Sequence, residues 1–406
     1  MNEKTKKEGY TDQLNQELLG TLGEKASSEQ ISAAYEKREV HRDQKAEKNK
    51  IPLHGTFELS PICNFSCRMC YVRKTAKEIA ASGRKMMTLE QWIHLGQKAR
   101  DAGMLYLLLT GGEPLLWPDF WELYDALYEM GLLIGINTNG SLIDDNAIQR
   151  WKEHPPYRVN LTLYGASNDT YETLCHTRNV YSEVKKAIIK MAEAGLNIKL
   201  NCSLTPYNAA DLQEMVAFAK EKKIPLTVST YMYPPVRRDA GMTGQNDRFR
   251  PEEAAWYHMQ RYCYQKGEME YREFLKNIQR KMITPPGLDE KCVNLENGKV
   301  RCRAGTSTFW VTWDGYMTPC GMMPEPKADL QEKSFNTAWK QLLEVSTKIH
   351  TSGTCEICKN QRICHSCAAM AYAETGKTSG IPVYLCEMME AMKQIAQREL
   401  ISRNGE

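Results

Sequence analysis

No run of roughly 18 apolar residues occurs in this 406-residue chain, so no segment reads as a membrane-spanning helix. The opening stretch MNEKTKKEGYTDQLNQELLG also lacks the ~7–15-residue apolar core of a secretory signal. Charge of one sign is scarce: 53 Lys and Arg against 50 Asp and Glu leave a formal net charge of +3. That is too little to argue for nucleic acid or an anionic membrane as partner. Low-complexity repeats are absent. What remains reads as a cytoplasmic globular protein, 42% apolar and long enough for two domains, with one excess: 14 cysteines. A reducing compartment keeps thiols from pairing, and the chain is far longer than small secreted domains stapled by disulfides. Metal or cluster ligation is therefore the expected use.

Residues 1–50 are polar and read as a surface helix followed by a solvated linker, HRDQKAEKNK, or as a docking arm for a partner. From 51 to 235 six apolar runs alternate with helical patterns. The strands are predicted at 56–60, 104–110, 132–138, 158–164, 197–205 and 225–231. Thr88, Asp119, Asp144 and Ser182 stand where helices should open, and Gly103, Gly131 and Gly195 just past helix ends. This βα repeat predicts a parallel sheet, either doubly wound or a partial α/β barrel, with chemistry at the C-terminal strand ends. Residues 236–291 read as a bridging helical segment with a helix starting near Pro251. Residues 292–406 hold eight of the cysteines and show little regular period, as expected where metal centres organise a small irregular domain.

The stretch CNFSCRMC places Cys63, Cys67 and Cys70 on the loop after the first strand. A structural zinc site asks for a fourth ligand, and His54 lies on the far side of that strand. Three thiolates suit a 4Fe-4S cluster with one iron left open. Here the chain closely resembles the radical S-adenosylmethionine enzymes, and that resemblance implies a partial (β/α)6 barrel. It also implies that the open iron chelates S-adenosyl-L-methionine, whose reductive cleavage yields a 5′-deoxyadenosyl radical that abstracts hydrogen from a substrate. The resemblance extends to TGGEP, whose Gly111, Gly112 and Glu113 would meet the methionine ammonium group, and to NTNG, whose Asn137 and Asn139 would lie near the ribose. It further assigns Thr162 to a polar cofactor contact, Arg178 to the methionine carboxylate and Tyr71 to the adenine. By their residue types alone, GGEP is an ordinary Gly-rich turn and Tyr71 a core aromatic.

Further along, the cysteines read C302-x12-G315-x4-C320, then C355-x2-C358-x5-C364-x2-C367, then Cys386. This order, with WDGYMTPC, resembles the SPASM domain of radical enzymes that act on peptides and proteins. One departure is the pair of residues between Cys364 and Cys367, where that family usually has three. The resemblance implies two further 4Fe-4S clusters: one on Cys302, Cys320 and Cys367 with Cys292, the other on Cys355, Cys358, Cys364 and Cys386. Zinc ribbons are the alternative for the same C-x2-C pairs. Cys175, Cys202 and Cys263 fall outside every motif and read as packed thiols.

The resemblance points to a peptide or protein substrate, most of all ribosomal-peptide maturation by crosslinking or side-chain oxidation, with flavodoxin or ferredoxin as reductant. Sulfatase maturases of the same group carry Asp after the cysteine of the G-x4-C element, and here Gly321 stands there. Only 62 residues precede Cys63, too few for a complete peptide-recognition module, so a separate recognition protein or the barrel mouth would take that role. The segment YMYPPVRRD, 231–239, is a candidate for meeting an acidic leader, or else a solvated loop. A small molecule such as a tetrapyrrole is the runner-up substrate. A non-enzymatic iron-sulfur carrier or zinc-ribbon module has no use for an open iron. No catalytic acid or base is assigned.

Overall fold

The computed structural model describes residues 40, 42–283, 295, 296, 299, 300 and 302–404. Residues 1–39 and Cys292 lie outside them. All six predicted strands form: β1 (His54–Glu58), β2 (Tyr106–Thr110), β3 (Leu133–Thr138), β4 (Arg158–Thr162), β5 (Ile198–Ser203) and β6 (Leu226–Ser229). A minor hairpin, β7 (Leu295–Glu296) and β8 (Lys299–Val300), stands apart. β9 (Thr308–Val311), β10 (Tyr316–Thr318) and β11 (Ala328–Asp329) join the main sheet, whose order is β11-β10-β9-β1-β2-β3-β4-β5-β6. Strands β1 to β6 are parallel and stand in chain order without reversal. A doubly wound sheet reverses its order at a switch point, so the partial barrel is the outcome.

The helices are α1 (Ala76–Ala81), α2 (Leu89–Asp101), α3 (Phe120–Glu129), α4 (Asp145–Glu153), α5 (Asn168–Cys175), α6 (Tyr181–Glu193), α7 (Leu212–Glu221), α8 (Pro251–Lys266), α9 (Glu268–Ile283), α10 (Phe335–Ser346), α11 (Gly353–Glu356), α12 (Ala368–Thr375) and α13 (Val383–Asn404). Thr88 and Asp144 cap α2 and α4 as expected, through Gln91 N and Ala147 N. Ser182 does not open α6: the helix begins at Tyr181 after Val180, with no side-chain cap. Gly103, Gly131 and Gly195 take φ of 111°, 84° and 72°, the left-handed region that Cβ disfavours.

Two expectations about loops fail for packing reasons. The charge run near residue 45 is no solvated linker. Residues 42–49 are helical, Asp43 meets both His54 and Arg303, and Arg42 donates to the Tyr106 hydroxyl. The segment 231–239 is neither a solvated loop nor a basic docking strip. Tyr231, Met232 and Val236 are buried, and Arg237 turns inward to an ion pair. The C-terminal portion is also more regular than its sequence suggests. β9 pairs in parallel with β1, and Phe309, Phe335, Trp339 and Leu342 join the same continuous core as Phe57 and Trp92.

Candidate functional site

Two loops at the C-terminal end of β1 and β2 are laced together by their backbones. Gly112 N donates to Ser60 O (2.6 Å) and Glu113 N to Ile62 O (2.9 Å). A Cβ at Gly111 would lie 2.5 Å from Ser60 O, and one at Gly112 2.3 Å from Ile62 O, so glycine is required at both. The far side of the cysteine loop rests on the last carbonyls of α5: Ser66 N donates to Cys175 O (2.9 Å) and Arg68 N to Leu174 O (3.1 Å). Those carbonyls have no partner within the helix, so the loop satisfies them.

The loop turns Cys63, Cys67 and Cys70 toward one cavity of about 390 Å³. Backbone N–H groups reach two of the sulfurs, Phe65 N to Cys63 Sγ (3.4 Å) and Arg73 N to Cys70 Sγ (3.3 Å). Burial pushes the Cys63 thiol up to about 12 against the pull of that N–H, and raises Cys70 as well. Cys67 is raised first by its hydrogen bond with buried Cys175, then by burial. Thiols in this state ionise when a metal displaces the proton. Three sulfurs facing one cavity, with N–H donors already aimed at two of them, fit a cluster. Among the described residues no three His, Cys, Asp or Glu side chains converge on a single metal ion.

Of the other sequence-predicted cofactor residues, Tyr71, Gly111, Gly112, Asn137, Asn139 and Thr162 line this cavity. Glu113 does not. Its fully buried carboxylate accepts from Thr138 Oγ1 (2.7 Å), Leu115 N (3.2 Å) and Asn139 N (2.7 Å), bracing one loop on the next. Burial pushes it up to about 7, opposed by those three donors. Arg178 is also kept away: its side chain is 79% exposed and paired with Glu172 at 2.6 Å. Sequence reasoning missed Asn160, Asn201, Ser203 and Ser229, which complete a wall of amides and hydroxyls on β4 to β6. Polar residues at alternate positions of otherwise apolar strands were the available signal.

A second group sits beside this cavity. Glu58, fully buried at the end of β1, accepts from Arg237 Nη2 (2.9 Å to each oxygen) and Trp310 Nε1 (3.0 Å). Arg237 Nη1 also donates to Gly321 O (2.7 Å), next to Cys320, and the guanidinium stands 5.8 Å from the Tyr71 ring. Burial raises Cys320 to about 11, with Cys367 and Cys302 adding their charge. Cys355, Cys358, Cys364 and Cys386 line one small cavity of about 40 Å³, and burial raises Cys386 to about 11 with the other three adding. The described members of each expected auxiliary set are thus brought together.

Residues 57–219 match the Radical SAM superfamily. The chain carries a radical SAM domain. It is an enzyme, and a domain of this superfamily implies S-adenosylmethionine and a 4Fe-4S cluster as its cofactors. Over 331 residues the chain is 24% identical to AdoMet-dependent heme synthase of Methanosarcina barkeri, covering 79% of this chain and 92% of that protein. Two solved structures share its fold. Streptococcus suis SuiB bound to precursor peptide SuiA is 20% identical, with a TM-score of 0.60 over 88% of this chain and 80% of that one. Native anSMEcpe with bound AdoMet is 17% identical, with a TM-score of 0.61 over 86% and 98%. Among the described residues no helix is long and apolar enough to cross a membrane.

Proposed function

We propose that this radical SAM enzyme modifies a side chain of a peptide or protein, with ribosomal-peptide maturation as the leading case. The observation that carries the reading is the wall facing the triad. Beyond the residues given to the cofactor, the cavity is lined by Asn160, Asn201, Ser203 and Ser229, and among the described residues no Lys, Arg, Asp or Glu lines it. Amides and hydroxyls pair with a peptide backbone without a charge to neutralise. Relatives named for peptide products, such as the subtilosin biosynthesis protein AlbA of Bacillus subtilis, support the same reading.

Cys63, Cys67 and Cys70 would hold the cluster, which would supply the electron for reductive cleavage of S-adenosylmethionine. Gly111 and Gly112 let the backbone approach the cofactor, Asn137, Asn139 and Thr162 bind its polar edges, and Tyr71 packs on it. Glu113 holds the Asn139 loop in register. Cys302, Cys320 and Cys367 with Cys292, and Cys355, Cys358, Cys364 with Cys386, hold two auxiliary clusters. Sulfatase maturation is the weaker alternative, because a Cβ at residue 321 would lie 2.7 Å from the Trp310 ring, leaving little room for an Asp base.

A tetrapyrrole substrate is the second reading. It is favoured by the long match to heme synthase and by an adjoining cavity of about 560 Å³ lined by Arg42, Arg158 and Arg303, cations that suit propionate groups. Anaerobic incubation of the reconstituted enzyme with S-adenosylmethionine, reductant and either peptides encoded beside its gene or an iron tetrapyrrole separates the two. A mass change confined to peptide supports the leading reading, and one confined to tetrapyrrole overturns it.

A further inference from the structure

A groove of about 960 Å³, against about 390 Å³ at the triad, is lined by none of the described cluster cysteines. It runs between the segment 83–88 with the first turns of α2 on one side and Gly315 with residues 330–336 on the other. Its floor is apolar, with Met87, Leu95 and Phe335 buried there. Arg84, Lys85, His94, Lys98 and Lys333 line it, and among the described residues no Asp or Glu does.

Arg84 and Lys333 have internal work. Arg84 pairs with Asp329 (2.8 Å) and donates to Asp314 O (2.8 Å), which ties the two walls together. Lys333 Nζ donates to Gln341 Oε1 (2.6 Å). Lys85 and Lys98 are exposed. The groove also receives the opening residues of two helices, Thr88 and Gln91 of α2 and Ser334 to Asn336 of α10, whose N-terminal partial charges add to the same positive field. Positive walls over an apolar floor complement a chain that carries both carboxylates and large aliphatic or aromatic side chains.

The groove also connects to the chemistry. Met86, on its wall, accepts a hydrogen bond at its sulfur from Ser60 Oγ (3.6 Å), and the Ser60 carbonyl holds Gly112 of the cofactor loop. Met86 thus links the groove wall to the Ser60 backbone that holds the loop facing the triad. In the segment 231–239, which the sequence offered for an acidic partner, Arg237 is consumed by Glu58 and only Arg238 is left exposed.

We propose that this groove docks an acidic, apolar-bearing segment of the peptide substrate, outside the part that reacts. The proposal rests on the peptide reading above. It deepens it by assigning recognition to the junction of α2 and α10 rather than to a separate protein.

The test is fluorescence anisotropy on the full reconstituted chain. The probe is a labelled synthetic peptide of three Glu-Leu-Glu-Glu-Leu repeats, compared with its Gln-for-Glu counterpart at low and high salt. The Glu peptide should bind at least ~10-fold more tightly than the Gln peptide at low salt, and the preference should shrink as salt rises. Lys85→Glu with Lys98→Glu should weaken it ~10-fold or more, while Lys186→Glu with Lys220→Glu, on α6 and α7 away from the groove, should change it less than ~2-fold. Equal binding of the two peptides, or equal effects of the two charge reversals, overturns the proposal. So does a 15-nucleotide single strand that displaces the Glu peptide with no difference between the two variant pairs. Formation of 5′-deoxyadenosine without peptide is measured alongside and should match wild type in both variants. Its absence from the wild type would fail the radical SAM reading, whereas its presence with no groove-dependent binding fails the docking proposal alone.

Discussion

Replacing Arg237 by methionine keeps the aliphatic stem and removes the guanidinium from the junction between the two cysteine regions. Glu58, fully buried, is then left with one donor, Trp310 Nε1 at 3.0 Å, and Gly321 O loses its 2.7 Å partner. Removing one member of a buried pair costs about 3–5 kcal/mol, because the remaining charge is uncompensated. Against a typical domain stability of ~5–15 kcal/mol, that is about a fifth of the total or more. Glu58→Met combined with Arg237→Met removes both charges and leaves only the Trp310 N–H and the Gly321 carbonyl unpaired, at about 1–3 kcal/mol each at most. The double variant should therefore be no less stable than Arg237→Met alone, and the two single costs should fail to add by about 2 kcal/mol or more. Anaerobic urea unfolding of the metal-free chain, followed by tryptophan fluorescence, reads this directly. An Arg237→Met cost below about 1 kcal/mol, or single costs that simply add, would refute the claim that this pair is a coupled buried junction.

Glu113→Gln should cost about 1–3 kcal/mol and weaken S-adenosylmethionine binding, since an amide cannot accept from Thr138, Leu115 and Asn139 together; isothermal titration alongside unfolding checks both. Gly112→Ala drives a Cβ to within 2.3 Å of Ile62 O, so the cysteine loop must move; iron analysis should find the triad cluster lost with the others kept. His258 is held down near 3 by burial, then by Arg261 and His365. The unfolded chain therefore takes up a proton near pH 6.5 that the folded chain refuses. Stability is full above that pH and falls by up to a few kcal/mol as pH drops toward 3, and His258→Gln should flatten that slope in a pH series of melts.

Much of the barrel is legible in the sequence because each strand is a short apolar run between helical patterns with glycine stops. The order of β1 to β6 is not, since strand neighbours are set by packing rather than by local pattern. Helix α5 escapes notice because it is only eight residues long, yet its terminal carbonyls seat the cysteine loop. Strand β9 is four residues long and reaches β1 across about 250 positions, a pairing no local period announces. At the site, spacing alone marks Cys63, Cys67 and Cys70, and the glycines of GGEP are explained by close backbone approach. The family pattern is least informative where a side chain can turn either way. Glu113 faces its neighbouring loop, and Arg178 pairs with Glu172 in solvent. The junction of Glu58, Arg237, Trp310 and Gly321 draws on four separate segments, so it becomes visible only in three dimensions.

The central claim is that the three-cysteine loop holds an open cluster that cleaves S-adenosylmethionine. The most direct test is the yield of 5′-deoxyadenosine from anaerobically reconstituted, dithionite-reduced protein, compared with a variant carrying Ala at Cys63, Cys67 and Cys70. The wild type should give product with about twelve irons per chain, and the variant, which keeps roughly eight, should give none. Product from the triple variant, or a wild type that binds chiefly zinc and forms none, would contradict it.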